Sequence, residues 1–368
     1  MVRSTLGTRG DGRLTIVFAA DGNFSTVLGM SVESILRNTT PGAVGDFYVL
    51  DDGVEDWAKA KIETLKRQYD FDIKYINVSE RVENCASSCQ YPRVTFARFL
   101  VDEMLPASVH GRVFYTDADV LFPGDLAPLL EWDMQDMAVA AVQAVRLASG
   151  EGVDYLKQWR SFFHIGRDDD SGTYHHASPM LFDIDRWREW GVSRTMLEMG
   201  QSSEYRALPM LDQDIFNAVC WGKIATLPVT YCVIPLFQRV YNPEDYAACF
   251  QNRLRYPERE LREAWQNPVS IHYAGVKPHI MAAPANELEA YHWDFWAGSR
   301  WRRHVPYTPR EWKPGESRLA KGIIQIALCC GAGAGGARWI ARQVGLRLLP
   351  LKRKLRGLAP RKGRGKPA

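Results

Sequence analysis

Two carboxylates separated by one residue interrupt an otherwise apolar run, Val113-Phe114-Tyr115-Thr116-Asp117-Ala118-Asp119-Val120-Leu121-Phe122. In a strand, residues i and i+2 point to the same face, so a strand here projects Asp117 and Asp119 together. Adjacent carboxylates repel, and keeping both ionised beside apolar surface is costly. A divalent cation removes that cost, and oxygen donors suit hard ions such as Mg2+ or Mn2+. The expectation is a metal site at a strand end. The pattern is short, however, and Asp-x-Asp also arises as turn capping and as solvated loop acids; the rest of the chain has to decide.

The elements around this stretch alternate. Leu14-Thr15-Ile16-Val17-Phe18-Ala19-Ala20 is a continuous apolar run closed by Asp21-Gly22-Asn23, as in a buried parallel strand whose ligands sit beyond its C-terminus. No G-x-G-x-x-G follows it, which argues against a nicotinamide fold of the usual kind. Ser25 or Thr26 can cap a helix to about Asn38 carrying Leu28, Val32, Ile35 and Leu36 on one face. Residues 47–50 read as a second strand, 56–69 as a helix on Trp57, Ile62 and Leu65, and 71–78 as a third strand. Residues 95–105 form a short helix bearing Arg98, and 125–132 a turn and helix. Strands are expected at 137–145, 179–183, 223–227 and 269–272, with 150–173 irregular around Arg167-Asp168-Asp169-Asp170. His175 and His176 read as loop polar groups, and Leu211-Asp212-Gln213-Asp214 opens a helix whose first-turn acids suit the helix dipole. Residues 291–312, dense in Trp, Tyr and Arg, read as a surface for packing or for a sugar. Strands alternating with helices imply a doubly wound α/β sheet.

Composition bounds the class. The 368 residues are 46% hydrophobic and 24% charged, enough for a sizeable core in one large or two ordinary domains. Residues 1–12 do not read as an export signal, and an odd count of seven cysteines fits reduced thiols in a cytoplasm. Cys85 and Cys89 lack a second ligand pair at zinc spacing. The net charge of +3 hides an asymmetry: residues 317–368 carry 13 of the 46 basic side chains and none of the 43 acidic ones. The remaining body is therefore acidic, with 33 basic against 43 acidic residues.

Taken in order, five stretches resemble glycosyltransferase family 8: Ile16-Val17-Phe18-Ala19-Ala20-Asp21-Gly22-Asn23-Phe24, the helix with Arg98, Tyr115-Thr116-Asp117-Ala118-Asp119-Val120, Leu211-Asp212-Gln213-Asp214-Ile215-Phe216-Asn217, and His272-Tyr273-Ala274-Gly275-Val276-Lys277-Pro278. The likeness spans about residues 14–280 and extends to bacterial galactosyl- and glucosyltransferases of lipopolysaccharide outer cores. It implies a GT-A fold, a single Rossmann-like, doubly wound mixed sheet with flanking helices, over residues 14–285. A disordered N-terminus (1–13) precedes it, and an aromatic-rich linker (286–316) and a basic amphipathic helical tail (317–368) follow.

The resemblance also implies roles. Ala19, Ala20, Asp21 and Asn23 line a uridine pocket, and Arg98 contacts the donor near its diphosphate. Asp117 and Asp119, flanking Ala118 at the donor, bind Mn2+ (or Mg2+) with His272 as third protein ligand. Asp212 holds donor-sugar hydroxyls, Gln213 sits under the anomeric carbon, and Gly275 and Lys277 serve the phosphate. His176, Ala177 and Ser178, standing where the family has Asn-Ala-Gly, face the sugar. The implied reaction is retaining transfer of a hexose from UDP-glucose or UDP-galactose to a saccharide acceptor such as lipopolysaccharide.

Two other readings of the same residues stay open at this point. Asp117-Ala118-Asp119-Val120 also fits the nucleophile strand of haloacid-dehalogenase-type phosphatases, and a catalytically idle sugar-nucleotide or glycan binder would keep most of these side chains. The tail mixes Ile323, Ile324, Ile326, Leu328, Trp339, Ile340, Val344, Leu346, Leu348 and Leu349 with Arg and Lys. Its apolar part is shorter than the roughly 20 residues of a membrane span, so it reads as an interfacial segment for anionic lipid. The alternatives are a nucleic-acid arm or a solubilising tail. A lipid-linked acceptor makes the membrane reading the preferred one, with the enzyme peripheral on the inner face of the plasma membrane and no nucleic-acid partner.

Overall fold

The structure is a computed structural model that describes residues 12–87, 92–145, 153–166, 172–238, 256–275 and 286–303. In chain order its strands are β1 (Leu14–Asp21), β2 (Val44–Asp52), β3 (Asp72–Asn77), β4 (Arg112–Asp117), β5 (Val120–Leu121), β6 (Val139–Gln143), β7 (His175–Asp183), β8 (Ile224–Leu227) and β9 (Ile271–His272). Seven of them form one sheet in the order β3-β2-β1-β4-β7-β6-β8, while β5 and β9 pair apart as a two-stranded ribbon. β1 is apolar along most of its length because both its faces are covered. Leu14, Ile16, Phe18 and Ala20 join one core, and Val17 and Ala19 join the other.

The sheet is mixed. β1 runs parallel to β2 and β4, β2 to β3, and β6 to β8, whereas β7 is antiparallel to both β4 and β6. Helix Ser25–Asn38 falls as the periodicity predicts, while the helix expected over 56–69 is α-helical only over Asp56–Glu63 and continues as a 3-10 helix over Thr64–Arg67. The Arg98 stretch is a 3-10 helix, Arg93–Leu100, continued by the α-turn Val101–Met104.

Three expectations are corrected. The Asp-x-Asp run is not one strand: β4 ends at Asp117, the chain turns, and β5 leaves the main sheet to pair with β9. Residues 150–173 are not irregular throughout, since Val153–Phe162 is helical and Tyr155, Leu156 and Trp159 pack in an aromatic cluster with Tyr174 and Trp221. His175 and His176 are not loop residues; they begin β7 and are buried.

Within the stretch read as an aromatic-rich linker (286–316), Glu287–Gly298 is a helix and Arg300–Arg303 a 3-10 turn. Trp301 is fully buried, and its Nε1 donates to Glu33 Oε2 at 2.6 Å. It fills a slot kept open by Gly29, where a Cβ would lie 2.1 Å from the indole. The N-terminus (1–11), the acidic triplet at 168–170, Lys277 and the whole basic tail (317–368) lie outside the described residues. Among the described residues no helix is long and apolar enough to cross a membrane.

Candidate metal centre

The turn after β4 and the β5–β9 ribbon build the site. Pairing of Val120 with His272 sets the imidazole beside Asp119, and Tyr273 N–H donates to the Asp119 carbonyl at 3.1 Å. His272 Nε2 lies 3.5 Å from Asp119 Oδ1 and 3.8 Å from Asp117 Oδ2. One ligand atom from each of the three residues falls within 4.8 Å of the others, and this is the only such metal-ligating cluster among the described residues. Adjacent ligands at about 2.1 Å around an octahedral ion sit about 3.0 Å apart, and the two separations from His272 Nε2, 3.5 and 3.8 Å, are within about 1 Å of that. Two carboxylates and one imidazole suit a borderline divalent ion.

Charge in the site is set by its neighbours. Burial lowers the basicity of His272, but the Asp119 carboxylate outweighs it and pushes the imidazole up to about 10. Without a cation, the ring is an imidazolium that neutralises the acids. Arg98 lies beneath with its side chain 5% exposed. It reaches Asp117 Oδ1 at 2.9 Å through Nη2 and Asp212 Oδ2 at 3.1 Å through Nε. It also donates to the Ala177 and Thr95 carbonyls at 2.5 and 2.8 Å and stacks 5.2 Å over the Tyr115 ring. Burial opposes its charge, and Asp117 and Asp212 more than restore it. Arg98 is thus engaged by protein on several sides and organises two carboxylates at once. Tyr115 OH donates to Asp117 Oδ1 at 3.1 Å.

Asp212 and Gln213 enter from the start of helix Asp212–Val219, behind Leu211 at φ +42. A non-glycine residue at positive φ carries strain that the surroundings must hold. Beside it Asp214 Oδ2 accepts from Met210 N–H at 2.9 Å, and further along the helix Asn217 accepts from His175 N–H at 2.7 Å and donates to the His175 carbonyl at 2.8 Å, tying the helix to β7. Burial raises the Asp212 carboxyl, with Arg98 opposing. Gln213 Oε1 accepts from Ala177 N–H at 3.3 Å, and Nε2 donates to Tyr174 OH at 3.4 Å. His176 lies against Gln213 and His272; burial and the His272 charge push it down to about 3, so its ring is neutral. Among the described residues its Nε2 has no hydrogen-bond partner.

At the end of β1, Ala19 stands opposite Asp117 in the strand register. Ala20 is buried, and the Asp21 carboxylate caps the turn Gly22–Phe24, accepting from Asn23 N at 2.9 Å, while Asn23 is exposed. Ala118 is buried between the acids. Gly275, at φ +85, turns the chain just after His272 and Tyr273. The structure therefore gathers Asp117, Asp119, His272, Arg98, Asp212, Gln213, His176, Ala177 and Ser178 around one β4–β7 end, while Lys277 is not described.

Several contacts here were not assigned from the sequence. Ser178 Oγ accepts from Asp117 N–H at 2.8 Å, Tyr115 grips the same carboxylate, and Cys232 Sγ lies 4.0 Å from His272 Nδ1. Asp214, inside the helix-opening motif, takes hydroxyls from Tyr155 and Tyr174. The spacing of Tyr155 and Trp159, i and i+4, was the one signal for the helix that supplies Tyr155.

A profile of the family described as glycosyl transferase family 8 matches residues 15–279. General stress protein A of Bacillus subtilis is 22% identical over 274 residues, covering 73% of this chain and 87% of that protein. The lipopolysaccharide 1,2-glucosyltransferase of Escherichia coli is 24% identical over 315 residues, covering 85% and 83%. Among solved structures, the galactosyltransferase LgtC in complex with donor and acceptor sugar analogues superposes with a TM-score of 0.60 at 19% identity, over 81% of this chain and 99% of that one. That likeness is one of fold, and the fold is the GT-A mixed α/β type.

Proposed function

The chain belongs to glycosyl transferase family 8 and is a glycosyltransferase; from that premise we propose that it moves a hexose, glucose or galactose, from a UDP-sugar to a saccharide acceptor with retention of anomeric configuration, assisted by Mn2+ or, second, Mg2+. The observation that carries the reading is the convergence of Asp117, Asp119 and His272 within 4.8 Å. It favours transfer over the phosphatase alternative, in which Asp117 is a nucleophile and the imidazole has no task. Asp117 is also held by Arg98, Tyr115 and Ser178 rather than freed for attack.

Departure of UDP develops negative charge on a diphosphate. A divalent cation at the triad supplies Lewis-acid stabilisation there, worth several kcal/mol. The imidazole nitrogen of His272 tilts the preference from Mg2+ toward Mn2+. Arg98 acts by holding Asp117 and Asp212 in fixed relation beside the donor diphosphate, and Lys277 adds fixed positive charge to it. Asp212 orients donor hydroxyls. Gln213, already bonded to Ala177 and Tyr174, is a poor nucleophile, so the acceptor attacks from the face the phosphate leaves. The departing phosphate then takes the acceptor's proton. Ala19, Ala20, Asp21 and Asn23 bind uridine at the β1 end, Ala118 and Gly275 let the phosphates approach, and His176, Ala177 and Ser178 border the sugar.

The lipopolysaccharide 1,2-glucosyltransferase among the similar proteins supports a surface-glycan acceptor, here proposed to be lipid-linked. The 13 basic and no acidic residues of 317–368 support a cytoplasmic enzyme held at an anionic membrane surface. The test is UDP release from UDP-glucose and UDP-galactose with lipopolysaccharide or oligosaccharide acceptors, with and without Mn2+. Mn2+-dependent release with an α-linked product is expected. No turnover with any UDP-sugar, or full turnover in a chelator, contradicts the reading.

A further inference from the structure

We propose that Cys232 is a positioning residue for this centre, its thiol fixing the tautomer and tilt of His272 and, through Ser178, tying that ring to Asp117. The inference rests on reading Asp117, Asp119 and His272 as the cation site. Cys232 is 1% exposed. Its Sγ lies 3.5 Å from the Ser178 carbonyl oxygen and 4.0 Å from His272 Nδ1.

A thiol has one proton to give. Directed at the Ser178 carbonyl, it leaves the sulfur lone pairs toward the imidazole, and Nδ1–H then donates to sulfur. Nε2, on the other side of the ring, is left to face Asp117 and Asp119 with a lone pair once its own proton is displaced. Metal-bound histidines ordinarily give the second N–H to a carboxylate, a carbonyl or water, and that partner sets ring orientation and basicity. Sulfur is a weaker acceptor, so His272 is a less polarised ligand here than with a carboxylate behind it.

The rest of the relay is rigid. Ser178 Oγ accepts the Asp117 N–H at 2.8 Å while the Ser178 carbonyl meets the thiol, so one residue contacts the supports of two ligands. Behind the ring, His272 N–H donates to the Val233 carbonyl at 2.8 Å and Val233 N–H to the Ser270 carbonyl at 3.1 Å. The segment carrying the thiol and the strand carrying the imidazole are thereby laced together, which holds the Cys232 and His272 main chains in fixed register.

The test compares Cys232→Ser, which keeps a donor and an acceptor, with Cys232→Val, which keeps volume and removes both. Mn2+ affinity is measured by calorimetry with UDP present, and the visible spectrum of the Co2+-loaded protein reports ligand geometry. Cys232→Val is expected to weaken Mn2+ binding by about 10- to 100-fold and to shift the Co2+ bands. Cys232→Ser is expected to stay close to the parent. Equal binding and unchanged bands in Cys232→Val overturn the proposal, as does the reverse order, which marks packing alone; if Cys232→Val does not fold, Cys232→Ala takes its place. Nitrogen NMR of the His272 ring without metal separates this from the broader reading. A hydrogen-bonded Nδ1 proton seen in the parent and in Cys232→Ser but lost in Cys232→Val upholds the relay even if the parent binds no Mn2+, whereas its absence from the parent overturns the relay alone.

Discussion

Arg98 Nη2 lies 2.9 Å from Asp117 Oδ1, in a pair whose guanidinium is 5% and whose carboxylate is 24% exposed. The cation comes from a 3-10 helix and the anion from the last residue of β4. The same guanidinium reaches Asp212 at 3.1 Å, so one buried charge holds a candidate metal ligand and a candidate sugar ligand in fixed relation.

Removing it leaves two acids facing each other. Arg98→Met is expected to lower unfolding free energy by about 3–5 kcal/mol, the cost of breaking a buried pair, in chemical denaturation. Arg98→Lys recovers only part, because an ammonium lacks the fork that serves Asp117, Asp212 and the Ala177 carbonyl together. A loss below about 1 kcal/mol in Arg98→Met would place the pair among weak surface contacts.

His272 titrates near 10 because the Asp119 carboxylate outweighs burial. A raised folded value means that its contribution to the stability of the metal-free protein is complete below about 6.5, and is lost as pH rises through about 10. A cation must displace the Nε2 proton, so binding releases protons and strengthens with pH. Mn2+ Kd is expected to fall about tenfold per pH unit between pH 7 and 9. A flat profile would exclude the imidazole from the ligand set.

Asp214 is pushed up to about 6 by burial, against the hydroxyls of Tyr155 and Tyr174 and the Met210 N–H. Its contribution therefore favours folding below pH 4 and fades as pH rises through 6, a change of about 3 kcal/mol for some two pKa units. In Asp214→Asn this slope disappears from denaturation curves measured at pH 4, 5 and 6. The variant is less stable throughout, since its amide cannot satisfy two hydroxyls and the Met210 N–H together.

Gly29 and Trp301 are matched in shape, and a Cβ at Gly29 would sit 2.1 Å from the indole. Gly29→Ala is expected to cost about 1–3 kcal/mol as overpacking. Adding Trp301→Phe should recover part of that loss, which double-mutant thermal unfolding detects as non-additivity. Strict additivity would mean that the two do not touch.

Much of this was legible in local pattern. β1 and β4 announce themselves as mostly apolar runs because both faces of the sheet are covered, and the helix after Leu211 through its first-turn acids. The proximity of His272 to Asp119 was not a local matter. It depends on β5 leaving the main sheet to pair with β9, and only family likeness pointed to it. Cys232 has no motif, and Ser178 was read only as facing the sugar; the contacts of both reach partners distant in the chain. The helix Val153–Phe162 was hidden between glycines and an acidic triplet, although its aromatic spacing fits. The Trp301 slot depends on a glycine far upstream, which composition cannot report.

The most direct test is anomalous diffraction at the manganese edge from crystals of the protein grown with Mn2+ and UDP. A cation held by the three residues gives one peak about 2.0–2.3 Å from His272 Nε2 and from a carboxylate oxygen of both Asp117 and Asp119. A peak that leaves out the imidazole, or no peak at a Mn2+ concentration that supports transfer, contradicts it.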